Sequence, residues 1–164
     1  MKTLSEHLIQ YAHYHRDQRN IYTHFAGIPL IVIALFSLLS FEIAAGFTAT
    51  HLLLLGSLAF YFRLSLSMGL VMLLFSASCY AVALQLVGLE STAIWLGASA
   101  AVFVFGWVLQ FIGHYFEGKK PAFVDDLVGL LIGPLFVMAE VLFLLGFAKS
   151  LQQQIDQSAG PVHK

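Results

Sequence analysis

Five long apolar runs, separated by short polar breaks, limit what this chain can fold into more than any other feature. They extend from Phe25 to Phe41, His51 to Phe62, Leu64 to Val87, Ala93 to Gly113 and Leu127 to Ala148. A helix needs roughly 20 apolar residues to cross the hydrocarbon core of a bilayer. The third, fourth and fifth runs meet that length, the first is marginal and the second is short. Backbone groups in lipid must be paired within their own element, so the spans are expected to be helices rather than open strands. Composition agrees. Hydrophobic residues make up 59% of the chain and charged residues 10%, where a soluble domain usually carries about 25% charged residues. A chain of 164 residues has too much surface for its volume to hide that much apolar area from water. The expected fold is an all-α integral membrane protein with about five transmembrane or re-entrant helices.

The first 24 residues read differently. They are polar and aromatic and lack the apolar core of a secretory signal. Leu4, Leu8, Ile9 and Ala12 are spaced for one helix face. This predicts an amphipathic helix lying at the membrane surface. Three segments follow: an interfacial segment over 1–24, a helical membrane domain over 25–148 and a polar, Gln-rich tail over 149–164. In the fifth run, Gly133-Pro134 predicts a kink or break, because proline removes a backbone donor and clashes with the preceding turn. That run then either crosses or re-enters.

Basic residues set the expected orientation. Lys2, Arg16 and Arg19 precede the first span, which places the N-terminus in the cytoplasm. Counting every run as a crossing puts Arg63 and the Lys119-Lys120 pair inside, and Glu42 and Glu90 outside. The net charge of −1 gives no reason to expect a nucleic-acid partner, and the single Cys79 excludes a disulfide within the chain.

The polar residues gather in two clusters. One runs from Tyr14 to Pro29 and holds His15, Asn20 and His24; Asn20 and His24 are four apart and share a helix face. His15 lies off that face unless a turn intervenes. The other runs from Gln110 to Pro121, where Gln110, His114 and Glu117 stack along one face. The orientation count puts both at the cytoplasmic surface, where they can converge. Histidine, carboxylate and amide groups together suit iron, zinc, copper or nickel. His7, His51 and His163 read as surface or capping residues, and Gly56, Gly69, Gly97, Gly106 and Gly129 as points of close helix approach. If Glu140 lies at membrane depth, an ionisable group is expensive there and usually faces an interior cavity, which makes it a candidate for the site or for a residue supporting it.

These clusters resemble the signatures of the 2-hydroxy-fatty-acid dioxygenase family, small membrane proteins of fatty-acid α-oxidation. Tyr14, His15, Asn20, His24, Gly27 and Pro29 match the first pattern. Gln110, Phe111, Gly113, His114, Glu117, Pro121 and Ala122 match the second, and Pro134-Leu135-Phe136 with Glu140 resembles the C-terminal stretch. The likeness runs from about residue 11 to 145.

The resemblance implies an Fe(II)-dependent enzyme that shortens 2-hydroxy fatty acids by one carbon and consumes molecular oxygen. It implies His15, His24 and His114 as metal ligands, and Glu117 as a fourth ligand or as a partner fixing a histidine tautomer. Asn20 and Gln110 become hydrogen-bonding supports, and Arg16, Arg19, Lys119 and Lys120 attract the acid headgroup. The membrane would be a bacterial inner membrane or the endoplasmic reticulum. Two other classes use the same residues: a metal-dependent lipid hydrolase, and a carrier or assembly protein whose polar clusters close a gate.

Overall fold

The computed structural model describes residues 2–164 and is helical almost throughout. Seven α-helices follow in order: α1 (Leu4–Ala12), α2 (Gln18–Leu38), α3 (Ala49–Leu64), α4 (Leu66–Val87), α5 (Thr92–Glu117), α6 (Gly129–Leu144) and α7 (Lys149–Ala159). A short hairpin of β1 (Glu42–Ala44) and β2 (Phe47–Thr48) lies between α2 and α3, and a 3₁₀ turn (Ala122–Val124) precedes α6. The chain divides into two compact units: Pro29–Trp107, and the residues up to Ile28 with those from Val108 on. Both boundaries fall inside helices, one at the interior Pro29 of α2.

The first of these, Pro29–Trp107, is built on apolar contact. Phe36, Cys79 and Ala83 form its buried centre, with Val32, Ile33, Leu53, Leu54, Phe75 and Tyr80 around them. Ser65 alone joins α3 to α4; its extended backbone stops one helix, and its Oγ accepts from the Met68 N–H to start the next. Gly69 lets the two helices meet, because a Cβ there would collide with Phe62. Gly56 and Gly97 have open space at that position, so they do not serve as expected. The hairpin was not legible in the alternation of its residues. It turns through Ala45 and Gly46, both at positive φ, and Glu42 accepts the Gly46 N–H at 2.7 Å.

Among the described residues, three helices are long and apolar enough to cross a membrane: α2, α4 and α5. A fourth span results if α6 and α7, bent by 115°, count as one. All five expected apolar runs form helices, and the second is the short one. As α3 it has 16 residues, about 24 Å of helix against a hydrocarbon core of about 30 Å. Large side chains such as Leu70, Leu74, Val104, Phe105 and Phe111 are exposed on α4 and α5, which suits a lipid surround.

The other unit departs from expectation in three places. The helix α1 forms and is started by a capping box between Thr3 and Glu6. Its apolar face, however, is covered by protein: Leu8 and Ala12 are fully buried and α1 packs on α6 and α7. Residues expected as a polar tail form α7, whose Ile155 is buried. Finally, α6 runs unbroken through Pro134. The packing of Leu135 and Phe136, both fully buried, offsets one lost backbone bond. The sharp turn comes later, at Gly146 and Ala148, which take left-handed conformations.

Candidate metal centre

The helix α2 begins seven residues before its apolar run. Asp17 starts it by accepting the Arg19 N–H at 2.8 Å. A turn between α1 and α2, with Tyr14 N–H bonded to Tyr11 O and His15 N–H to Ala12 O, carries His15 back toward the Asn20–His24 face. The two clusters meet: His15, His24 and His114 are 0%, 1% and 6% exposed, and each offers a ring nitrogen within 4.8 Å of the others.

Hydrogen bonds fix two of the three tautomers. His15 Nδ1–H donates to Tyr11 O at 2.8 Å, and His24 Nδ1–H donates to Asn20 O at 2.8 Å. A carbonyl only accepts, so both Nε2 atoms are left with lone pairs. Those atoms face each other at 3.1 Å. Two lone pairs at that distance repel unless a cation lies beside them. A proton is a poor candidate, because burial first, and then His24 and His114, holds the His15 imidazolium well below its ordinary range. Neutral imidazoles are what a transition metal binds. His114 also has a buried Nδ1 with no partner among the described residues. Two metal–nitrogen bonds span at most about 4.2 Å, close to the 4.8 Å within which all three ring nitrogens lie. The residues present therefore fit a metal ion.

Glu117 lies one turn beyond His114 on α5 and points at the start of α2. Its carboxylate accepts the N–H of Arg16 at 3.0 Å, of Asp17 at 2.8 Å and the Asn20 Nδ2–H at 3.0 Å. Asn20 Nδ2 also donates to Tyr14 O at 3.2 Å. One carboxylate thus ties the His15 loop to the helix that carries His114. Gly113 allows it, since a Cβ there would strike Thr23 Oγ1 and Asn20 Oδ1. Tyr11 stacks on His15 with ring centroids 4.1 Å apart and planes nearly parallel. Gly113 belongs to the second motif, but its close approach to α2 is visible only in the structure, and Tyr11 was not read as part of the site. Tyr11 could have been found from its spacing, four before His15, which brings its carbonyl to the ring.

The basic residues are placed unlike one another. Arg16 is buried and bonded to Glu140 at 3.3 Å and Asp156 at 3.2 Å. Arg19 forks onto Asp17 at 2.7 Å and 3.1 Å and lies over the Phe116 ring. That fork holds the Asp17 carboxyl down at about 2. Lys119 donates to His13 O at 2.6 Å and Lys120 to Asp125 at 2.5 Å. Gln110 is buried, and its Nε2 has no partner among the described residues; the same holds for Asn20 Oδ1.

Fold and site together define a helical protein with a buried three-histidine group able to hold a metal ion. The chain belongs to the Mpo1-like family, whose profile, described as 2-hydroxy-palmitic acid dioxygenase Mpo1-like, matches residues 1–145. It is 30% identical over 150 residues to the Saccharomyces cerevisiae protein named 2-hydroxy-palmitic acid dioxygenase MPO1, covering 89% of this chain and 83% of that one. The resemblance read in the two clusters is thereby borne out. No solved structure matches the chain.

Proposed function

We propose that this protein is an Fe(II)-dependent dioxygenase that shortens 2-hydroxy fatty acids by one carbon at the cytoplasmic surface of a membrane. The observation that carries the reading is the pair of imidazole lone pairs facing each other at 3.1 Å with both Nδ1–H groups committed elsewhere. The family and the yeast relative's name supply the reaction class. His15, His24 and His114 would hold the ion. When bound, iron would supply the redox chemistry that activates oxygen toward a 2-hydroxy acid.

The remaining residues hold and orient. Glu117 and Asn20 keep the His15 loop against α5, and Glu117 acts through those N–H groups. Gln110 Nε2 is a buried donor without a partner among the described residues; it donates to the substrate carboxylate. Arg19, Lys119 and Lys120 are more exposed and attract the acid headgroup, while the acyl chain stays in lipid. Basic residues at Lys2, Arg19, Lys119 and Lys120 favour the cytoplasmic side, in a bacterial inner membrane or the endoplasmic reticulum.

The test is product analysis with 2-hydroxypalmitate and palmitate, with and without oxygen. Iron-loaded protein should convert only the hydroxy acid, only in oxygen, to the acid one carbon shorter. Zinc should not substitute, because it has no redox chemistry. Undiminished turnover under strict anaerobiosis, or turnover supported by zinc, would overturn the dioxygenase reading in favour of a hydrolase.

A further inference from the structure

The loop that presents His15 is held from two sides, and one of them is the C-terminal segment. Arg16 follows His15 directly, and its side chain is only 5% exposed. Its Nε donates to the His15 carbonyl at 2.9 Å. One terminal nitrogen donates to Glu140 of α6 at 3.3 Å, and the other to Asp156 of α7 and to the Gly160 carbonyl, both at 3.2 Å. Four of the guanidinium's five donors are thus used, and two carboxylates already face it. Beyond α7 the chain runs beside the loop as a parallel bridge. His163 N–H donates to Arg16 O at 2.9 Å, and Gln18 N–H donates to His163 O at 2.8 Å.

We propose that α7 and residues 160–164 form a clasp that fixes His15, and that Arg16 is its positioning residue rather than a contact for the acid headgroup. This rests on the metal reading of the three histidines. The His15 ring is aimed by its loop, and the clasp braces the peptide groups immediately after it. Glu117 braces the same peptides from α5, so the loop is gripped between two elements distant in sequence. Groups that orient a ligand without touching the ion typically set metal affinity by about 10- to 100-fold.

The experiment uses full-length, metal-stripped protein in detergent, titrated with Co(II) alone and read by its ligand-field spectrum. His163→Pro removes the N–H that bonds Arg16 O and lies outside every helix. It should weaken Co(II) binding about tenfold or more and alter the spectrum. His163→Ala keeps the N–H and should bind as the parent does. Arg16→Gln should also weaken binding; His163→Pro carries the test if that variant does not fold. Unchanged Co(II) affinity and spectrum in His163→Pro would overturn the clasp. So would Arg16→Gln that raises only the KM for 2-hydroxypalmitate, since a headgroup contact behaves that way. A parent protein that binds no Co(II) would sink the metal reading itself, and the clasp with it.

Discussion

The two compact units bury different kinds of polar group. In Pro29–Trp107 the buried polar residues are Ser37, Thr50, Ser57, Ser76 and Ser99, all small hydroxyls. In the other unit they are His7, His15, Arg16, Asp17, Asn20, His24, Gln110, His114 and Glu140. A hydroxyl is easily satisfied within a helical framework. Thr50 Oγ1 donates to Phe36 O, and Ser37 Oγ bonds Ser99 Oγ at 2.7 Å and accepts from Trp95 Nε1 at 2.9 Å. These bonds fasten one helix to another. Imidazole, guanidinium and carboxylate groups cannot be hidden that cheaply. Most of them are held by one another, as Arg16 is by Glu140 and Asn20 by Glu117, and ring nitrogens of the three histidines converge. The buried polar groups of the first unit are hydroxyls; those of the second include the candidate site.

The sharpest way to break this comparison is to remove ligands from one side only. His24→Ala and His114→Ala should each lower activity and iron content by more than about 100-fold, with helical content by circular dichroism unchanged. His51→Ala, in the other unit, should leave both near parental values. Next comes the carboxylate that joins the two clusters. Glu117→Ala leaves three N–H donors without their acceptor and should cost about 1–3 kcal/mol in thermal or denaturant unfolding. Iron binding should weaken with it. Ser37→Ala should cost less, about 0.6–1.7 kcal/mol for an interhelical bond in lipid, and should leave metal affinity untouched. A change in metal affinity there would erase the distinction between the units.

The smallest effect concerns the exposed loop after α5. The Lys120 ammonium first, and then the Tyr14 hydroxyl, hold the Asp125 carboxyl below its ordinary range. A carboxyl depressed by folding adds stability above the unfolded value of about 3.9 and loses it as pH falls through the folded value. Asp125→Asn should therefore flatten the acid limb of the stability curve below about pH 4. Solvent screening keeps the change slight.

Much of this was written in the sequence, because helical spacing is local. Asn20 with His24, and Gln110 with His114 and Glu117, share faces by their offsets alone, and the apolar runs place α2, α4 and α5. Features that depend on distant partners were not legible. Nothing local shows that Glu117 would cap α2, or that Asp156 and His163 would reach Arg16. The run over 149–164 reads as a tail because it is polar, yet one apolar residue, Ile155, is enough to dock it. Pro134 reads as a break because its cost is local, while the packing that offsets it is not. Arg16 reads as a headgroup contact from its charge; only the carboxylates of α6 and α7 show that the charge is already matched.

The central claim is that one ion sits on three imidazoles. X-ray absorption at the iron edge of anaerobically loaded protein tests it most directly, because outer-shell scattering from imidazole rings counts histidine ligands. The account predicts a best fit with three, falling to two in His24→Ala if any iron is retained. A fit with one or none, or a spectrum unchanged in His24→Ala, would contradict it.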